Sequence, residues 1–106
     1  MSGREEDRPD APAARPNAIV RVMRIINEKG LHARASAKFV QTVEKFDADV
    51  RVTRSGETVG GTSIMGLMSL AAACGTDITV EASGAEAEAV IAAIAALIAN
   101  RFGEGE

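Results

Sequence analysis

The chain contains one cysteine, Cys74, and one histidine, His32, in 106 residues. A lone cysteine closes no internal disulfide, and one histidine beside it makes no metal-ligand set, so neither a disulfide framework nor a bound metal is expected. Cys74 is expected to be a small buried hydrophobe. Tryptophan and tyrosine are absent, and there are only three phenylalanines. Readers of single-stranded nucleic acid stack bases on aromatic rings, and a formal net charge of −3 offers a phosphate backbone little attraction, so no nucleic-acid partner is expected. No apolar run reaches transmembrane length and no basic stretch leads into a short apolar one. Membrane insertion is therefore not expected, and the cytoplasm is the expected compartment. P-loops, kinase-type glycine loops and carboxylate clusters suited to Mg²⁺ are also missing, so no nucleotide or other cofactor is expected.

At this length one small domain is expected, with a single core drawn from Ala, Val, Ile and Leu. All three prolines, Pro9, Pro12 and Pro16, lie in residues 1–17, which are otherwise rich in Arg, Asp, Glu and Ala. That composition buries too little apolar surface to offset ordering, so 1–17 reads as a disordered tail and 18–106 as the domain. Charge is unevenly spread. Ile19 to Arg54 carries eight Lys or Arg against four acids, whereas Ser55 onward carries Arg101 against seven acids. The half containing His32 is the basic one, suited to a phosphoryl group and to acidic partner surfaces.

The elements follow from periodicity and turn chemistry. Ile19 to Ile25 is rich in β-branched residues and reads as a strand. Asn27 to Gly30 is a turn, and Ala33 to Phe46 has no Pro or Gly while Phe39, Val40, Val43 and Phe46 recur at helical spacing. Val50 and Val52 alternate with Asp49, Arg51 and Thr53 in a second strand, and Ser55-Gly56 turns into a third, Glu57 to Gly61. Ser63 suits the N-cap of a short helix from Ile64 to about Ala72, ended by Gly75-Thr76. Ile78, Val80 and Ala82 mark a fourth strand. Ser83 and Glu86 have the spacing of a capping box for a last helix, whose apolar stripe runs from Ala87 to Ile98 with Gly103 as its stop. The order is β-α-β-β-α-β-α, an α+β domain.

Within that order the turn at Gly30-Leu31-His32-Ala33-Arg34 carries the chemistry. It delivers His32 to a helix start, where unsatisfied N–H groups and the helix dipole favour an anion. Imidazole is the side chain best suited to act as a nucleophile near neutral pH, and Arg34 offers a planar fork of donors to phosphoryl oxygens. On spacing alone, a structural histidine beside a surface arginine fits equally well.

Two segments decide between these readings. Asn27 to Val40, NEKGLHARASAKFV, resembles the active-site segment of the HPr family, the histidine phosphocarriers of the bacterial phosphotransferase system. Thr62 to Leu70, TSIMGLMSL, resembles the family's regulatory-serine segment, and the likeness extends from about Ile19 to Glu104. The resemblance implies a four-stranded antiparallel sheet of order 1-4-2-3 with three helices on one face, an open-faced β-sandwich. It implies that His32 accepts a phosphoryl group on Nδ1 from phosphorylated Enzyme I, itself charged from phosphoenolpyruvate, and passes it to an EIIA-type histidine. Arg34 and the N–H groups of Ala33 and Ala35 would hold the phosphoryl. Ser63 would be phosphorylated by HPr kinase/phosphorylase, placing negative charge beside the docking face. Ile64, Met65 and Met68 would be partly exposed and meet partners, with Leu67 and Leu70 inward and Lys38 and Gln41 bordering the same surface. A monomer without free-standing catalysis is expected. The chain departs from the family in one respect: many HPr sequences have proline after the arginine, where Ala35 stands here, leaving a softer start to the helix.

The alternative is a regulatory binding module of the same fold, controlled through Ser63, in which His32 is unused. A more distant one is an α+β ligand-binding domain. The anion cradle from Gly30 to Arg34 favours the carrier.

Overall fold

The computed structural model describes residues 17–104; the disordered tail expected over 1–17 lies outside the described residues except for Asn17. The elements are β1 (Ile19–Arg24), α1 (Ala33–Val43), β2 (Asp49–Arg54), β3 (Glu57–Gly60), α2 (Ile64–Ser69), β4 (Asp77–Ser83) and α3 (Ala87–Ala99), followed by a short turn of 3-10 helix at Arg101–Gly103. The four strands form one antiparallel sheet of order β1-β4-β2-β3. β4, late in sequence, thus lies between β1 and β2, with Met23 opposite Ile78 and Val52 opposite Val80.

One face of that sheet builds the core. Met23, Val50, Val52, Ile78, Val80 and Ala82 are buried, and alternate residues of the same strands turn away from them. Helices cover this face: α1 presents Ala35, Phe39, Val40 and Val43, α3 presents Val90, Ile91, Ile94 and Ile98, and α2 contributes Leu67. On the open face Arg51 stands directly across from Glu81, and its Nη2 donates to both carboxylate oxygens at 2.8 and 2.9 Å. The exposed Arg24–Asp77 pair at 3.0 Å contributes little to stability, although the hydrogen bond and then the charge of Asp77 hold the Arg24 guanidinium above its ordinary value.

Element ends depart from expectation where tertiary contacts take over the backbone. α1 stops at Val43, and Lys45 and Phe46 donate to Thr42 and Val43 in tighter turns. α2 ends at Ser69, well before Gly75. Leu70 and Ala72 are both buried, and the Ala72 carbonyl accepts from Leu31 N–H at 2.9 Å, so the chain leaves the helix through Ala71 in the left-handed region (φ 53°). Ser83 does not cap α3. The N-cap is Glu86, whose carboxylate accepts from Asp47 N–H at 2.6 Å while Glu86 N–H donates to the Asp47 carbonyl at 2.9 Å. A reciprocal tie between two loops thus replaces the capping box. α3 ends at Ala99 rather than Gly103, because Phe102 turns back into the core and is 1% exposed.

A left-handed alanine carries a Cβ that glycine lacks. Ala71→Gly is expected to stabilise the fold by about 0.5–1 kcal/mol, read as a higher urea midpoint at unchanged m-value.

Candidate functional site

The turn that presents His32 is fixed from three directions. Gly30 adopts φ 68°, and its N–H donates to the Asn27 carbonyl at 3.1 Å. A Cβ at Gly30 would lie 2.4 Å from the Ala72 carbonyl oxygen, so the position requires both glycine's backbone and its lack of a side chain. Leu31 is buried and tied to Ala72, and His32 N–H donates back to the Gly30 carbonyl at 2.9 Å. Asn27, fully buried, closes the turn through Nδ2, which donates to the Gly30 carbonyl at 2.9 Å.

His32 is the N-cap residue of α1, a role usually filled by Ser, Thr, Asp or Asn. Its backbone is extended, its carbonyl accepts from Ser36 N–H at 2.8 Å, and its Nδ1 accepts from Arg34 N–H at 3.2 Å. On the other side of the ring Nε2 meets the Glu104 carboxylate, which Asn27 Nδ2 also contacts at 3.2 and 3.3 Å. These partners assign the tautomer. An atom that accepts a backbone N–H holds a lone pair, and one that faces a carboxylate holds a proton. Nε2 therefore carries the hydrogen and Nδ1 is the basic, nucleophilic nitrogen.

Around that nitrogen the local field suits an anion. The first turn of α1 has no acidic residue, and the orphan N–H groups of a helix start carry partial positive charge; of the two alanines there, Ala33 is exposed and Ala35 is fully buried. Arg34 is exposed, and among the described residues its guanidinium has no hydrogen-bond partner, so its donors are available to an incoming group. Lys29, Leu31, His32 and Ala71 to Ala73 line a shallow depression at this edge.

The second predicted segment is placed as follows. Ser63 is the N-cap of α2, exposed, and its Oγ accepts from Gly66 N–H at 2.9 Å. Ile64, Met65 and Met68 are exposed at 40%, 76% and 38%, while Leu67 and Leu70 are buried. α2 packs against α1. Gln41 is exposed, but Lys38 is half-buried and donates through Nζ to the Phe102 carbonyl at 2.6 Å. Cys74 is exposed rather than buried, because the loop after α2 turns Ala72 inward and leaves residues 73–75 outside. Sequence reasoning missed Asn27 and Glu104. Asn27 stood in the turn as ordinary turn chemistry, and nothing local to Glu104 marks it as a partner of a residue 72 positions away.

Gly30→Ala is expected to cost about 2–3 kcal/mol of stability by chemical denaturation, from left-handed strain together with the clash at Ala72.

Residues 19–100 match a family model described as PTS HPr component phosphorylation site. The phosphocarrier protein HPr of Cupriavidus necator is 51% identical over 82 residues, 77% of this chain and 92% of that protein. HPr of Neisseria meningitidis serogroup A is 54% identical over the same shares. The crystal structure of HPr-C-His from Thermoanaerobacter tengcongensis superposes with a TM-score of 0.79 at 39% identity, covering 83% of this chain and 99% of that one. With the β1-β4-β2-β3 sheet and its three helices, these matches establish that the chain belongs to the HPr family, the phosphocarrier proteins of the phosphotransferase system.

Proposed function

We propose that His32 Nδ1 accepts a phosphoryl group from phosphorylated Enzyme I and hands it to a histidine of an EIIA-type protein in the cytoplasm. The observation that carries this reading is the state of the ring: Nδ1 holds a lone pair at a helix start, beside an exposed guanidinium that has no hydrogen-bond partner among the described residues. In acceptance the Nδ1 lone pair forms the new N–P bond as the bond from phosphorus to the donor's nitrogen breaks, and the electrons of that bond return to the donor ring. Nε2 keeps its hydrogen throughout, so no base is needed at this step. The helix-start N–H groups, with those of Ala33 and Ala35, and the Arg34 guanidinium stabilise the charge on the phosphoryl oxygens. Onward transfer is the same displacement in reverse, with neutral imidazole as the leaving group.

Ile64, Met65 and Met68, rimmed by Gln41 and Lys38, form the docking face in this reading. Methionine is flexible and polarisable and fits more than one partner, which a carrier with a donor and an acceptor requires. Ser63, at the start of the same short helix, is the regulatory site for HPr kinase/phosphorylase. A phosphate there carries nearly two negative charges, takes over the capping role at Gly66 N–H, and repels acidic partner surfaces.

Incubation with phosphoenolpyruvate and Enzyme I is expected to add one acid-labile phosphoryl by intact mass, absent in His32→Ala and formed about tenfold more slowly in Arg34→Ala. A wild-type protein that gains no phosphoryl would refute the carrier function. Ser63→Asp is expected to keep its unfolding free energy within about 1 kcal/mol of wild type while accepting phosphoryl more slowly; equal rates would remove Ser63 from regulation.

A further inference from the structure

The segment after α3 departs from ordinary backbone in a way that its own sequence does not require. Arg101 and Phe102 adopt φ of 53° and 54° and Gly103 follows at 75°, three consecutive left-handed residues of which two carry side chains. Non-glycine residues held there are strained and persist only where surrounding structure outweighs the cost. Two contacts do so. Phe102 is buried in the core, and its carbonyl accepts from Lys38 Nζ at 2.6 Å. The result is a hook that reverses the chain and sets the Glu104 carboxylate against His32 Nε2 and Asn27 Nδ2. The carboxylate is sheltered, its side chain 15% exposed against 27% for His32. Asn27 has its amide orientation fixed by two acceptors, the Gly30 carbonyl and Glu104. One buried side chain therefore locks both the turn that carries the imidazole and the carboxylate that faces it.

The geometry points to Glu104 as a positioning residue for phosphoryl transfer: held by the 101–103 hook and by Asn27, it keeps the hydrogen on Nε2 and so reserves Nδ1 for the phosphoryl group. This rests on the reading of His32 as the phosphoryl acceptor. Its consequence for the reaction is electrostatic. When Nδ1 bonds to phosphorus, positive charge develops on the ring, and a carboxylate on the far nitrogen stabilises that charge without moving a proton. Because Glu104 meets the ring edge at the opposite nitrogen from the reacting one, it adds this effect without occupying the phosphoryl's side.

The chain has one histidine, so a two-dimensional ¹⁵N correlation spectrum of the full-length labelled protein shows a single imidazole and reports its tautomer directly. In wild type the neutral ring is expected as the Nε2–H tautomer alone. Glu104→Ala is expected to show a mixture of tautomers and to accept phosphoryl from Enzyme I about tenfold more slowly, the loss of one charge-assisted hydrogen bond. Glu104→Gln retains an acceptor for Nε2–H without the charge, so it should keep the single tautomer and fall between the two in rate. It also serves as the control for a folding defect in Glu104→Ala. Wild-type tautomer or wild-type rate in a folded Glu104→Ala would overturn the inference. If instead wild type accepts no phosphoryl at all, it is the carrier reading that fails, and the tautomer comparison still decides whether Glu104 holds the ring.

Discussion

The imidazole of His32 is held at both nitrogens, by a backbone N–H on Nδ1 and by a carboxylate on Nε2, and most of the surrounding architecture exists to make those two contacts meet. The first requires that His32 be an N-cap, which in turn requires the left-handed Gly30 and the approach of Ala72. The second requires that the chain return to the same corner after three helices and three further strands. Since β4 pairs with β1 and α3 packs on both, the start and finish of the domain converge there. A site assembled from turn, helix start and distant carboxylate is therefore as stable as the sheet that brings them together.

The domain divides its surface between burial and availability along α2. This helix is only six residues long, and it shows Leu67 to the core while Ile64, Met65 and Met68 face outward. A longer helix would bury or shield more of itself. Its early end at Ser69 is enforced by Leu70 and Ala72 turning inward and by Arg54 Nη1, which donates to the Leu70 carbonyl at 3.0 Å. The shortness thus has two effects at once: it leaves the apolar residues exposed, and it frees the Ala72 carbonyl to brace the His32 turn.

Much of this was legible in the linear order of residues. Strands β2 and β4 alternate cleanly, α1 has a plain apolar stripe, and the Gly30 to Arg34 turn carries its chemistry within five positions. What escaped was decided by contacts remote in sequence. Ser83 and Glu86 have the right spacing for a capping box, but Asp47 claims the glutamate. Cys74 looked like a core residue by type, yet the loop that buries Ala72 turns it out. Glu104 gave no local signal, because its position depends on a left-handed hook anchored by Phe102 and Lys38, and no pattern of hydrophobicity marks such a hook.

The alanine at position 35 illustrates how rigidity is redistributed. A proline there would restrict φ in the first helical turn at no cost in intrahelical bonds. Here the constraint comes from other groups. Ser36 is fully buried, donates its Oγ to the Leu31 carbonyl at 3.2 Å and its N–H to the His32 carbonyl at 2.8 Å, and so ties the first turn of α1 back onto the residues before it. Ala35 is itself fully buried and belongs to the core. Alanine at this position therefore gives up the stiffness a proline ring would add, and the two hydrogen bonds of Ser36 hold the first turn in its place.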